Sequence, residues 1–260
     1  MLRGIYTGAC GMLANEVRQS VVANNLANVD TTGFRRDVPV FSMEPDNDIH
    51  RINDYRHAIR NRFIDRSQFI GNMGTGSVVA DVYTPDAGGQ IKVTDNPTDI
   101  ALSGPGYFSV ETGEGTKYTR AGNFAVNRDG FLTDMNGNFV LGGGGARIKL
   151  DAQAPIQVGE DGGVFQNGQF MSKLDIVTFD NPQKVVKRGA NFVEPVEGGV
   201  TLATDVKTMQ GALESSNVNA VQEMVSMIEL QRAYELNQRV ILTQDEMLQK
   251  AIATVGKLTA

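Results

Sequence analysis

The chain has 260 residues, of which 41% are hydrophobic and 21% are charged, so it can form at least one packed core and does not have the composition of a disordered protein. Its formal net charge is −6, which argues against a nucleic-acid-binding protein, because binding to phosphates requires clustered positive charge. The absence of tryptophan leaves few rings for stacking on bases or sugars, and the single cysteine, Cys10, excludes an intramolecular disulfide.

Residues 1–34 are predicted to form a helix that ends in a turn. Apolar or small side chains recur at helical spacing and form a main stripe of Tyr6, Ala9, Leu13, Val17 and Val21. A neighbouring stripe is formed by Val22, Leu26 and Val29. Gly33, which can adopt a positive φ, then ends the helical pattern. The apolar run at the start is too short for a cleaved secretory signal, and no run reaches the ~18 residues of a membrane span, so we expect neither.

Residues 35–72 are predicted to be an extended, irregular linker, because Pro39 and Pro45 interrupt regular structure. The segment contains a group of arginines, namely Arg51, Arg56, Arg60, Arg62 and Arg66. Only two acidic residues, Asp54 and Asp65, balance their positive charge. No interleaving of aromatic residues at stacking distance supports a single-strand nucleic-acid site here. We expect this group of arginines to lie on a solvated face or on a face between subunits.

Residues 73–213 are predicted to be a central antiparallel β domain. Apolar residues alternate with polar ones, as at Phe108 and Val110 or at Leu174 and Ile176. Asp-Gly and Asn-Gly turns at Gly130, Gly137 and Gly162 separate these runs and supply the positive φ that hairpins need. No helical pattern lies between the strands, which argues against a parallel α/β sheet.

Residues 214–260 are predicted to return to a helix, with Ser216, Asn217 and Asn219 as candidate N-caps. The spacing alternates between three and four residues over about four heptads. This spacing predicts a coiled-coil seam in which Asn237 and Gln244 are the two polar positions. The seam residues are Met227, Leu230, Tyr234, Asn237, Ile241, Gln244, Leu248, Ala251, Val255 and Leu258.

A helix cannot bury such a seam alone, so the two terminal helices must pair within one molecule or with neighbouring molecules. We therefore predict an α+β fold, in which the N- and C-terminal helices form a coiled-coil-like stalk that carries the β domain; a simple globular α+β protein is the alternative. We assign an assembly seam to the C-terminal positions above together with Leu13, Val17, Val21 and Leu26.

The sequence offers little for catalysis or for binding a cofactor or metal. The only histidines, His50 and His57, do not have the i, i+4 spacing of a helical metal site. The glycines at 142–145 are not followed by the Lys-Ser/Thr pair of a phosphate-binding loop. The sequence does not exclude a catalytic pair of carboxylates that the fold brings together. We nevertheless expect no enzyme and no cofactor.

Three groups of motifs resemble the family of flagellar rod and hook proteins. The stretch ANNLANVDTTGF at 23–34 resembles the signature near the N-terminus of that family. GPGYF at 104–108, YTRAGNF at 118–124 and DGFL at 129–132 resemble its central β region. GALESSNVN at 211–219 and QRAYE at 231–235 resemble its C-terminal helix region.

The resemblance implies a structural subunit of the basal-body rod that assembles helically with copies of itself and with other rod proteins, and that transmits motor torque to the hook. It also implies export through the flagellar type III apparatus without a cleaved signal, no nucleic acid and no membrane insertion. Residues 146–193 are most like one rod member of the family, with the distal-rod member as the runner-up. From another class, a secreted β-rich adhesin on a coiled-coil stalk is the alternative.

Overall fold

The computed structural model describes residues 2–51, 58–59, 62–63, 68–74, 76–151, 154–181, 185–189, 191–196, 198–203 and 206–255. Helix α1 (Leu2–Ala27) lies at the start of this range and helix α2 (Ala220–Val255) at its end, with antiparallel β structure between them. The predicted α+β class and the order of helices and strands are confirmed, whereas the coiled-coil stalk stays a prediction.

The described strands are mostly short, from two to seven residues. In chain order they are β1 (Val38–Met43), β2 (Asn47–Arg51), β3 (Ala58–Ile59), β4 (Arg62–Phe63), β5 (Gln68–Met73), β6 (Ser77–Tyr83), β7 (Ile91–Val93), β8 (Ile100–Ser103), β9 (Tyr107–Thr112), β10 (Gly115–Thr119), β11 (Ala125–Val126), β12 (Leu132–Thr133), β13 (Phe139–Val140), β14 (Ile156–Val158), β15 (Gly163–Gln166), β16 (Gln169–Lys173), β17 (Ile176–Phe179), β18 (Val185–Arg188), β19 (Phe192–Pro195), β20 (Val200–Leu202), β21 (Lys207–Gln210) and β22 (Ala212–Glu214).

The chain forms two compact units, and the first combines residues 1–23, 39–82 and 224–260. Within it β1 pairs with β6, β2 with β5 and β3 with β4. The sequence predicts irregular chain here, but the structure contains strands, because the prolines do not prevent pairing: Pro39 lies in a two-stranded sheet, where a missing N–H is tolerated. We refer to these paired strands as the ribbon.

Helix α1 contacts the ribbon in this first unit. The Cys10 thiol donates a 3.7 Å hydrogen bond to Glu44 Oε2, and the Arg18 guanidinium lies 5.5 Å from the centre of the Phe41 ring. Burial, together with the neighbouring Glu44 carboxylate, raises the pKa of the Cys10 thiol. The thiol is therefore held in its neutral, poorly nucleophilic form.

The second unit combines residues 24–38 and 83–223 around a nine-stranded antiparallel sheet. Strand β9 lies at its centre and pairs with β10, β13 and β17. Side chains of β9 alternate between two apolar clusters: Phe108 packs in the larger cluster with Ile148 and Leu174, while Tyr107 packs in the smaller one with Phe179. The alternation in the sequence therefore correctly predicts the core.

The predicted turns form with the expected chemistry. Gly130, Gly137 and Gly162 all have positive φ, from 81° to 86°. In the first turn Asn127 Oδ1 accepts hydrogen bonds from the backbone N–H groups of Asp129 and Phe131, at 3.0 and 2.8 Å. Such side-chain acceptors satisfy backbone donors where the strands end, and so they fix where each strand reverses.

Helix α2 begins after Asn219, one of the three candidate caps. Its Oδ1 accepts hydrogen bonds from the backbone N–H groups of Val221, at 3.1 Å, and Gln222, at 3.3 Å. Asn217 instead accepts a 2.7 Å hydrogen bond from the backbone N–H of Arg36. The helix start is therefore fixed by Asn219, which leaves Asn217 free to hold another segment.

Candidate assembly site

The predicted seam of α2 is the least exposed side of that helix. Leu230 is only 4% exposed. The other seam residues with described side chains are partly buried, namely Met227, Tyr234, Asn237, Ile241, Gln244, Leu248 and Ala251. The Val255 side chain and Leu258 lie outside the described residues.

The α2 seam faces glycines of α1 in the first unit. A Cβ atom built on Gly4 would lie 2.9 Å from Gln244 Nε2, one on Gly8 would lie 3.0 Å from Ile241 Cγ1, and one on Gly11 would lie 3.0 Å from Asn237 Nδ2. The contact positions ascend in α1 while they descend in α2, so the two helices run antiparallel. We call Gly4, Gly8 and Gly11 the glycine face of α1.

The glycine face explains why the predicted α1 seam does not meet α2 as a simple coiled coil would. Leu13 is 62% exposed and Val17 is 38% exposed, while Val21 and Leu26 are partly buried. This contact follows the glycines of α1 and not its apolar stripe, because a helix that lacks side chains on one face lets its partner approach closely. The α1 part of the assembly seam stays a prediction. The i, i+4, i+7 spacing of the glycines was the available signal.

Replacing Gly8 with Leu is expected to loosen the helix pair, because the new side chain would occupy the space of Ile241. Overpacking of this kind costs about 1–3 kcal/mol. The control is Ala23→Leu, which adds the same side chain at an exposed position of α1. Thermal unfolding followed by far-ultraviolet circular dichroism compares the two variants. Equal melting curves would show that the glycine face is not a packing surface.

A polar cluster in the second unit joins the end of α1 to the start of α2. Asn25, which is 1% exposed, donates from Nδ2 to the carbonyl of Asp37 and accepts from the Asp37 N–H, both at 2.9 Å. Arg36 forms a 2.7 Å ion pair with Glu223 in the first turn of α2. We call Asn25, Arg36, Asp37, Asn217 and Glu223 the junction cluster, and it ties residues far apart in the chain.

Gly33 brings the same segment against the β domain. Its φ is +69°, and its N–H donates a 2.8 Å hydrogen bond to the carbonyl of Glu214. A Cβ atom here would lie 2.6 Å from the Arg120 carbonyl carbon, so the position has no room for a side chain. The TTGF motif therefore fixes the backbone of the segment that follows α1 against Arg120 and Glu214.

Buried charges complete this region. The Arg120 Nε lies 2.5 Å from Glu214 Oε2, and both residues are at most 6% exposed. The guanidinium also donates to the carbonyls of Leu102, Gly104 and Gly106. Leu102 lies in β8, Gly104 and Gly106 lie in the turn that follows it, and Glu214 lies in β22. Arg120 therefore holds these three parts of the chain together.

Lys187 adds a partly buried cation beside the junction cluster. Its Nζ lies 2.7 Å from Asp37 Oδ1 and donates a 2.5 Å hydrogen bond to the Arg35 carbonyl. Burial lowers the pKa of Lys187, and the Asp37 carboxylate opposes that shift. These charges are engaged by neighbours in the same unit, which is the arrangement of a structural network.

The described residues do not suggest a catalytic centre. Among them no three His, Cys, Asp or Glu side chains are grouped as metal ligands would be. His50 packs edge-on against Phe69, and His57 lies outside the described residues. The side chains of the predicted arginine group at 51–66 also lie outside them. No helix in the described part of the chain is long and apolar enough to cross a membrane.

Comparison with known proteins identifies relatives of the whole chain. Three family models match: "Flagella basal body rod protein" at residues 5–35, "Flagellar hook protein FlgE/F/G D1 domain" at 101–166, and "Flagellar basal body rod FlgEFG protein C-terminal" at 209–254. These ranges contain the three groups of motifs named above.

Curated relatives match along almost their full length. The chain is 32% identical to the flagellar basal-body rod protein FlgG of Bacillus subtilis over 97% of this chain and 98% of the relative. It is 31% identical to FlgF of Mesorhizobium japonicum, over 98% and 99% of the two chains, and 31% identical to FlgF of Caulobacter vibrioides, over 99% and 100%.

Proposed function

The chain belongs to the family of flagellar basal-body rod proteins, and from this premise we propose that it assembles helically, through its terminal helices, into the axial shaft that transmits motor torque to the hook. It is a structural rod subunit and not an enzyme. The secreted adhesin considered from the sequence has no support from these relatives.

The observation that carries the proposal is the antiparallel contact between the glycine face of α1 and the α2 seam. The two terminal helices meet in one helical element, and this contact supports a subunit that stacks through them. The assembly seam predicted from the sequence stays part of this proposal. Many such helix pairs side by side would share a twisting load, because each subunit is held along a whole helix rather than at one point.

Membership of the family places the chain in the flagellar basal body, where it assembles with other rod proteins. We propose in addition that it reaches the periplasm-spanning rod through the flagellar type III export apparatus. The support for this step is membership of the family of rod proteins.

Within the family we propose an FlgF-type subunit, with the distal-rod protein FlgG as the alternative. The support is the sequence between Ala146 and Val193, which resembles FlgF most. Relatives with either name match at about the same identity, 32% for one FlgG and 31% for two FlgF proteins. Overall identity therefore does not separate the two members.

Complementation tests the proposal directly. The chain is expressed in a bacterium that lacks its own FlgF, and in parallel in one that lacks FlgG, and purified hook–basal bodies are probed for the chain by immunoblotting and electron microscopy. We expect incorporation and restored rods in the FlgF-deficient strain. Restoration only in the FlgG-deficient strain would reassign the member, and absence from basal bodies in both strains would contradict a rod subunit.

The double substitution Ile241→Asp and Leu248→Asp is expected to abolish incorporation while the β domain stays folded. Both residues are partly buried on the α2 seam, and a carboxylate there would be desolvated without a partner. Hydrogen exchange of the purified variant checks that the amides of β9 and β17 stay protected. Normal rods built from this variant would rule out the seam as part of the assembly element.

A further inference from the structure

The turn between β15 and β16 is the exposed dipeptide Asn167-Gly168. Both residues have positive φ, 49° and 75°, as a two-residue hairpin turn of type I′ requires. Gln166 and Gln169 are paired at the base of the turn. A Cβ atom added at Gly168 would have no neighbouring atom within 4 Å, so the turn projects into open space. The Asn167 side chain is therefore accessible to solvent and to the backbone of the next residue.

An Asn-Gly pair can modify itself without an enzyme. The backbone nitrogen of Gly168, once it has lost its proton, attacks Cγ of the Asn167 side-chain amide; a C–N bond forms and ammonia leaves, which gives a cyclic imide. Water then opens the imide at either of its carbonyl groups and leaves aspartate or isoaspartate. The whole reaction consumes water and releases ammonia, so it needs no oxidant, reductant or cofactor. Glycine favours it, because no Cβ atom hinders the approach of the nitrogen.

The chain has a second Asn-Gly pair, Asn136-Gly137, in the turn between β12 and β13. Here Asp134 anchors the backbone of the turn. Its carbonyl accepts a 3.1 Å hydrogen bond from the Gly137 N–H, and its Oδ1 accepts from the N–H groups of Asn136 and Asn138, at 2.9 and 2.8 Å. The nitrogen that would attack is therefore engaged, and several hydrogen bonds must break before this turn can rearrange.

The turn at Asn167 lacks an anchor of this kind. Among the described residues, none accepts a hydrogen bond from the N–H of Gly168. Asn167 also occupies the left-handed region, which residues other than glycine disfavour, so opening of the turn relieves strain. Phe170 and Met171, close to the turn, are already 61% and 45% exposed, so its opening uncovers little apolar surface. Such a turn opens at a low cost in free energy.

We infer that Asn167 is a site of spontaneous deamidation and that the fold protects Asn136 from the same reaction. This inference goes beyond the proposed function and does not rest on it. Either product adds one negative charge to a chain whose formal net charge is −6. Isoaspartate also lengthens the backbone of the turn by a methylene group, so the pairing of Gln166 with Gln169 loses its register. The change accumulates with time, so its extent records the age of the protein.

Peptide mapping of the aged protein tests the inference. The purified chain is incubated at mildly alkaline pH, digested with trypsin and analysed by mass spectrometry. The tryptic peptides 150–173 and 129–147 each contain one of the Asn-Gly pairs. We expect peptide 150–173 to show the mass change of deamidation, with isoaspartate as a product, severalfold faster than peptide 129–147. A sample digested at time zero corrects for deamidation during digestion. In guanidinium chloride the two peptides should react at similar rates, because the fold no longer distinguishes them.

Two variants assign the difference to the turns. Asn167→Gly keeps a residue that accepts positive φ but has no side-chain amide, so position 167 should stay unmodified and the melting curve of the fresh protein should not change. Asp134→Ala removes the anchor of the other turn and should raise the rate at Asn136 toward that at Asn167. Absence of product at Asn167 in the native chain, while the unfolded chain reacts, would overturn the inference. So would equal rates at the two sites in the unaltered native chain, a measurement that does not depend on the folding of any variant.

Discussion

Replacing Arg120 with Met is expected to destabilise the β unit by about 3–5 kcal/mol, the usual cost of removing one partner of a buried ion pair. Glu214 is 3% exposed and would be left buried without its main partner. The carbonyl groups of Leu102, Gly104 and Gly106 would lose their donors as well. Urea unfolding followed by tyrosine fluorescence measures the change, since the chain has no tryptophan.

The matched control for this substitution is Arg147→Met. Arg147 also pairs with a glutamate, Glu111, through a 2.6 Å contact, but their side chains are 47% and 37% exposed. Water screens such a pair, so its loss should shift the urea midpoint far less. A third variant, Arg120→Met with Glu214→Leu, should recover part of the lost stability and not all of it, because the three carbonyls remain without donors. Equal midpoints for Arg120→Met and the parent protein would show that the buried pair has no structural role.

Replacing Gly122 with Ala is expected to cost about 3 kcal/mol or more, because the added methyl group would overlap the backbone. A Cβ atom at this position would lie 1.7 Å from the carbonyl oxygen of Ile100, and the Ile100 N–H donates a 3.0 Å hydrogen bond to the Gly122 carbonyl. Relief of the overlap must separate two segments that carry core residues, since Ile100 and Phe124 both pack in the larger cluster. The same urea titration measures the loss.

Gly113→Ala is the control for Gly122→Ala. Gly113 lies in the tight turn between β9 and β10, and no neighbouring atom would lie within 4 Å of a Cβ atom added there. Its stability should stay close to that of the parent chain. If both glycine variants unfold at the same urea concentration, the close approach of Gly122 to Ile100 is not present in solution.

The parts of the fold that depend on local pattern follow from the sequence. Phe108 and Val110 were predicted to share a face of a strand and are fully buried. Gly130 and Gly137 were predicted to close turns, and both have positive φ. The three-and-four spacing of α2 likewise predicted its less exposed side. In each case the information lies within a few residues, so no knowledge of distant partners was needed.

The parts that depend on distant partners did not follow from the sequence. Nothing near Arg120 indicates that Glu214 is its partner, and nothing near Asn25 indicates the reciprocal hydrogen bonds with Asp37. The strands of the ribbon were missed because short, exposed strands carry little hydrophobic alternation. Leu13 and Val17 were assigned to the seam by their hydrophobicity, although the glycines on the other side of α1 are what faces α2.

The contact between the glycine face and the α2 seam also sets an order of events during synthesis. Gly8 is translated before residues 83–223 and Ile241 after them, so the glycine face of α1 has no α2 seam to pack against until that segment has been made. Residues 83–223 are continuous and contain most of their own sheet and core, so they can fold before that moment. A nascent chain can therefore carry a folded β unit while the glycine face of α1 still lacks the α2 seam.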